Sequence, residues 1–160
     1  MAAPNGARKQ KSDHPALPVT IAETVEVAKA CFDAGASILH AHVRDENGAH
    51  VLDAERYITL LDAMRNAVPE MLVQITTEAV GRYSPKEQSD IVFAVEPDFV
   101  SVGFGEMTGD ASEDAMAHAR DFYHHAHAQN IHVQHILYSP ENLTSFKMAV
   151  AEGILPSGSD

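Results

Sequence analysis

From Thr20 onward the chain alternates helix-like and strand-like segments at about 30 to 35 residues per repeat, and few folds absorb that rhythm. Thr20-Ile21-Ala22-Glu23 has capping-box spacing and predicts a helix to about Ala34, with Gly35 suited to the left-handed residue that ends it. Ser37 to Val43 reads as a strand. Asp53 can cap a second helix, in which Tyr57, Leu60, Leu61, Met64 and Val68 recur at helical spacing before Pro69. Met71 to Thr77 is the next strand, and Ser84-Pro85-Lys86-Glu87 opens a helix to about Val95. Asp98 to Phe104 is a strand, Ala111 to Gln129 a long helix, and Ile131 to Tyr138 a strand. Ser139-Pro140-Glu141 starts a last helix that Gly153 closes.

Regular alternation of this kind belongs to the α/β class, with a parallel sheet and helices outside it. Right-handed crossovers leave two architectures, a TIM (β/α)8 barrel or an open doubly wound sheet. No linker or low-complexity stretch divides the chain, so residues 1–160 are expected to form a single partial barrel domain with no second domain. A complete barrel takes about 250 residues, and roughly five of its eight units are visible here, which predicts an incomplete barrel and a chain that is a fragment. "MAAPNGAR" resembles the exit of a first strand, and a further strand is expected after "AEGILPSGSD". The open sheet edges of such a piece predict association, most simply a homo-oligomer.

Charge narrows the partners. Acidic residues number 23 against 11 basic, a formal net charge of −12. No basic stripe exists to displace counterions from nucleic-acid phosphates or to hold an anionic membrane surface. No apolar run is long enough to span a bilayer, and the N-terminus has no apolar stretch of signal type. Cys31 is the single cysteine, which rules out an internal disulfide and predicts a reducing, cytoplasmic setting.

Residues two apart in a strand face the same way. His40 and His42 therefore project together near a strand's C-terminal end, where parallel α/β folds build active sites. That is what a metal needs from two imidazoles on one strand, although two histidines hydrogen-bonded within a polar layer would share the pattern. A catalytic zinc takes three protein ligands and an open position, and the third is not evident. Glu78 and Glu106, both at predicted strand ends, are candidates for a ligand or a proton carrier. Arg44 and Asp45 can anchor a substrate carboxylate or pair with each other, the pair being the simpler expectation. Thr76, Thr77 and Ser101 offer hydroxyls to a carboxylate or carbonyl oxygen. Of the second histidine group, His118, His125 and His127 are expected on a solvated helix face, and His135 toward the barrel interior. There is no P-loop, no GxGxxG and no nucleophilic elbow.

Several separated stretches together resemble one family. "APNGAR" (Ala3 to Arg8), "DHPALPVT" (Asp13 to Thr20), "AGASILHAHVRDENG" (Ala34 to Gly48) and "QITTEAVG" (Gln74 to Gly81) are similar to the beta-keto acid cleavage enzymes, the family of 3-keto-5-aminohexanoate cleavage enzyme. The resemblance implies a zinc-dependent barrel that converts a beta-keto acid and acetyl-CoA into acetoacetate and a new acyl-CoA. It implies Zn2+ on His40 and His42, with a third ligand, a glutamate, and an aspartate base contributed from late in the barrel, beyond Asp160. It also implies small-molecule partners only, a beta-keto acid and a coenzyme A thioester. Asn5 and Arg8, on the first loop, join Thr76, Thr77 and Ser101 as expected substrate-binding residues, with Glu78 as the catalytic candidate. Many members carry an acidic residue where Arg8 stands, and often a glycine at Glu78. Another metal-dependent barrel hydrolase of amidohydrolase type, or a truncated non-catalytic piece, are the alternatives.

Overall fold

The computed structural model describes residues 1–156. Helices and strands alternate: α1 (Ile21–Asp33), β1 (Ile38–His40), α2 (Ala54–Ala67), β2 (Leu72–Thr76), α3 (Pro85–Val95), β3 (Phe99–Gly103), α4 (Phe104–Thr108), α5 (Glu113–Ala128), β4 (His132–Ile136) and α6 (Pro140–Ala151). The chain forms two compact units, Met1–Thr76 and Thr77 onward.

In the first unit β1 and β2 run parallel, with Leu39 opposite Val73 and His40 opposite Gln74. Ala2 adds a parallel bridge at Leu39, donating to the Ile38 carbonyl and accepting from the His40 N–H. The capping box forms as its spacing predicts: the Thr20 hydroxyl accepts from the Glu23 N–H, and the Glu23 carboxylate accepts from the Val19 and Thr20 N–H groups. α1 and α2 pack together. α1 buries Val25 and Ala28, while α2 buries Tyr57, Leu60 and Met64 on one stripe at helical spacing. Burying a side chain of the size of Leu60 contributes about 1.5–3 kcal/mol.

β1 is shorter than its apolar run suggests. The Ala41 N–H still reaches the Gln74 carbonyl, but the His42 N–H turns to the Asn5 side chain, so the ladder stops there. The polypeptide then tightens into a turn, with the Asp45 carboxylate accepting from the Asn47 and Ala49 N–H groups.

In the second unit β3 and β4 are parallel over five residue pairs, from Phe99 opposite His132 to Gly103 opposite Ile136. α3 starts as predicted, with Ser84 as cap, Pro85 in the first turn and Glu87 closing the capping box. The short helix α4 was not predicted, because three glycines in "GFGEMTG" argue for a loop. Buried Phe104 and Met107, three residues apart, anchor it as one turn. α5 begins after Ala111, whose φ of 58° is left-handed, and Ser112 caps it. Gly153, at φ 68°, follows α6 as expected. The further strand expected after it falls partly on residues 157–160, outside the described residues.

The Glu23 carboxylate is held down to about 2, first by its hydrogen bond to Lys11 and then by the Thr20 and Val19 N–H groups. A depressed folded pKa gives stability that is present above the ordinary value near 4.5 and is lost as pH falls through the folded value. Glu23→Gln is therefore expected to lower the urea midpoint at neutral pH, with the difference from wild type shrinking as pH drops from 4.5 toward 2. An equal difference at both pH limits would contradict this account of the cap.

Candidate functional site

The two histidines of "HAH" meet as their spacing predicts. His40 Nε2 and His42 Nε2 lie 3.1 Å apart, with the ring planes at 73°. His42 is buried and His40 half-buried. Burial, together with the neighbouring His50, His40 and Arg44, pushes the His42 imidazole down to about 2, so the ring is neutral at any working pH. A cleft of about 270 Å3, lined by Thr20, Thr24, His42, Arg44 and Arg56 among others, opens beside it.

Each imidazole has a partner at its other nitrogen. Gln74 Oε1 lies 2.7 Å from His40 Nδ1, and His50 Nδ1 lies 3.4 Å from His42 Nδ1. Sequence reasoning gave neither residue a role. Gln74 reads as an ordinary strand residue, and its register opposite His40 emerges only when β1 and β2 pair. His50 follows the turn, and its one legible signal is its spacing of eight residues from His42.

Asn5 does not point its amide at open space. Its Nδ2 donates to the His42 carbonyl at 2.8 Å, and its Oδ1 accepts from the His42 N–H at 3.1 Å, all buried. Arg44 and Asp45 do not pair as expected. The Arg44 guanidinium, 4% exposed, instead donates to the carbonyls of Asn5, Gly6, Lys9 and Gly48. Arg8 is exposed. Thr76 is buried at the end of β2, where its carbonyl accepts from the Tyr57 hydroxyl.

In the second unit Thr77 and Ser101 come together, the Thr77 hydroxyl donating to the Ser101 carbonyl at 3.3 Å. Ser101 Oγ is buried with no hydrogen-bond partner among the described residues. Glu78 is half-buried. Glu106, on α4, accepts from the Ala79 N–H, and its carboxyl is pushed up first by burial and then by the negative charge of Glu78. The two carboxylates flagged in the sequence thus sense each other.

Of the remaining histidines, His118 and His135 depart from expectation, while His125 and His127 are exposed as expected. His118 is half-buried and lies 2.9 Å from the Ser89 hydroxyl of α3. His135 packs between Tyr123 of α5 and Phe146 of α6, on the helix side of its strand rather than toward a barrel interior. His125 is exposed, with its ring against Phe93, and His127 is exposed.

Two nitrogens bound to one zinc at 2.0–2.1 Å in tetrahedral geometry lie about 3.4 Å apart. The 3.1 Å separation of the two Nε2 atoms fits a shared ion with small adjustment. Among the described residues no group of three or more His, Cys, Asp or Glu side chains could hold a metal, so the fit is to two ligands of a site.

Parallel strands alternating with helices define an α/β fold of the barrel class. Solved structures agree on the fold: apo ObcA aligns with a TM-score of 0.64 and the binary complex of ObcA with oxaloacetate with 0.66, each at 13% identity over 88% of this chain, and the latter over 35% of that chain. The fold is accordingly that of an incomplete (β/α) barrel. The chain belongs to the beta-keto acid cleavage enzyme family, whose profile matches residues 1–159. The 3-keto-5-aminohexanoate cleavage enzyme of Acetoanaerobium sticklandii is 35% identical over 62% of this chain and 36% of its own length. The 3-oxoadipate:acetyl-CoA acetyltransferase of Cupriavidus necator is 30% identical over 64% of this chain and 35% of its own. The matched stretch thus spans about a third of each of these relatives. No helix among the described residues is long and apolar enough to cross a membrane.

Asn5→Ala leaves the His42 N–H and carbonyl without these partners, and each buried backbone group so stranded costs about 1–3 kcal/mol. The denaturation midpoint should fall accordingly, and Asn5→Asp, which keeps an acceptor for the N–H, should fall less. A midpoint unchanged in Asn5→Ala would show that the clamp contributes nothing. Glu106, with its pKa raised, favours folding while protonated and costs stability once pH rises past the ordinary carboxylate range. Glu106→Gln should therefore raise the midpoint at pH 7 and leave it nearly unchanged at pH 4. The reverse pattern would contradict the assigned direction.

Proposed function

We propose that this chain carries the front part of a zinc-dependent beta-keto acid cleavage enzyme, which takes a beta-keto acid and acetyl-CoA to acetoacetate and a new acyl-CoA. The observation that carries the reading is the 3.1 Å convergence of His40 Nε2 and His42 Nε2 in a chain of this family. These two atoms are the proposed zinc ligands. When bound, zinc supplies a Lewis acid for a carbonyl oxygen on which negative charge develops as the carbon–carbon bond breaks. The third ligand and the base, by resemblance to the family, come from a glutamate and an aspartate on later strands.

The chain's own residues have the following proposed work. Asn5 fixes the backbone at His42 and so aims its ring. Arg44 holds the first loop by its carbonyls, which sets where Arg8 stands over the substrate. Arg8 then offers its charge to an anionic group on the beta-keto acid. Ser101 Oγ, buried and without a partner among the described residues, is proposed to donate to a substrate carboxylate. Thr76 and Thr77 are likewise proposed as substrate-binding residues. Glu78 is the proposed proton carrier, with Glu106 beside it able to keep a proton above the ordinary carboxylate range. The enzyme is proposed to work in the cytoplasm as a homo-oligomer, with no nucleic-acid or membrane partner.

Zinc content measured by plasma emission on untagged protein, beside a His40→Ala/His42→Ala double variant, tests the site. Near-stoichiometric zinc in the wild type that disappears in the double variant is the expected result. Equal zinc in both would sink the assignment of these histidines.

A further inference from the structure

The two imidazoles are held from behind as well as facing each other. Gln74 Oε1 lies 2.7 Å from His40 Nδ1. A carbonyl oxygen only accepts, so the proton in this contact belongs to His40 Nδ1. In the neutral form needed of a metal ligand, His40 then presents Nε2 as a lone pair toward His42 Nε2, 3.1 Å away. Two lone pairs at that distance repel. The contact requires either a proton on His42 Nε2 or a cation shared by both nitrogens.

Behind His42 stands His50. Its Nδ1 is 3.4 Å from His42 Nδ1, the ring centroids are 4.9 Å apart, and the residue is 4% exposed. Both outer partners sit on backbone tied to the residue they serve. Gln74 is the register partner of His40, and its carbonyl accepts from the Ala41 N–H. His50 forms an antiparallel bridge with Arg44, two residues beyond His42.

We propose that Gln74 and His50 are positioning residues for the two metal ligands: Gln74 locks His40 with its proton on Nδ1, and His50 accepts the Nδ1–H of His42 once a cation has displaced the proton between the two Nε2 atoms. This rests on the reading of His40 and His42 as ligands. The protons balance: one leaves His42 Nε2 for solvent, the proton between the two Nδ1 atoms passes from His50 to His42, His50 takes one from solvent at its Nε2, and both rings stay neutral. An amide oxygen is a weaker acceptor than a carboxylate, so Gln74 fixes the tautomer of His40 while making it less basic than a carboxylate partner would.

The test is the zinc affinity of the 160-residue chain, read by competition with a chromophoric chelator, with histidine 15N shifts to report which ring nitrogen carries the proton. Loss of an outer partner typically weakens metal binding about 10- to 100-fold. Gln74→Leu and His50→Phe should each fall in that range. Gln74→Glu should bind zinc at least as tightly as wild type, and His50→Asn, whose amide oxygen can accept, should recover part of the loss. The 15N shifts should place the proton of metal-free His40 on Nδ1 in wild type and divide it between the nitrogens in Gln74→Leu. Wild-type affinity in both Gln74→Leu and His50→Phe, or a His40 protonated on Nε2 in the wild type, would overturn the proposal and leave the ligand reading intact. A wild type that takes up no zinc, or a His40→Ala/His42→Ala variant that binds it equally, would instead overturn the ligand reading and this proposal with it.

Discussion

The reciprocal hydrogen bonds between the Asn5 amide and the backbone of His42 decide where β1 ends and where the second histidine goes. A strand that leaves its neighbour exposes an N–H and a carbonyl, and buried groups of this kind must find partners. A side-chain amide supplies donor and acceptor at once, so one residue does for His42 what a paired strand would do. The chain is then free to turn at Asp45 without a polar deficit, and the His42 ring stays packed against His40 and His50. Without that substitution of side chain for strand, the period-two alignment of the two histidines would not be fixed.

Local signals were the legible ones. Thr20 with Glu23, Ser84 with Pro85 and Glu87, and Asp53 act within three residues, so each helix start could be read directly and each forms. The His-x-His pair was legible for the same reason, since its geometry follows from alternation along a single strand. What depended on pairing between distant segments was not. Gln74 lies 34 residues from His40, and Asn5 lies 37 from His42. Arg44 and Asp45 invited a pairing by adjacency, yet neighbours in extended backbone point to opposite sides, and each found backbone partners instead. His118 looked solvated because its partner, Ser89, is on another helix. His135 was assigned to the wrong side of its strand because apolar neighbours do not say which face meets helices and which meets the interior.

The carboxylates of the second unit show how a glycine can serve a charged group. A Cβ built on Gly103 would lie 2.9 Å from Glu106 Oε2, so the missing side chain is what lets the carboxylate fold back beside its own strand. There it meets the Ala79 N–H and comes under the influence of Glu78. The glycines of "GFGEMTG" carry no phosphate motif. One of them instead leaves room for the Glu106 carboxylate, whose pKa is raised first by burial and then by the charge of Glu78.

Among the described residues the hydrogen bonds of the Arg44 guanidinium all go to backbone carbonyls. Asn5, Gly6, Lys9 and Gly48 each present to it the one acceptor that every residue possesses, whatever its side chain. The path of the first loop is thereby uncoupled from most of its lettering. Ala7, Arg8 and Lys9 can change identity while the guanidinium continues to hold the same backbone, and a buried arginine thus becomes a fixed frame for interchangeable side chains. Such a frame allows the side chains of the loop to drift without the loop having to be refolded each time.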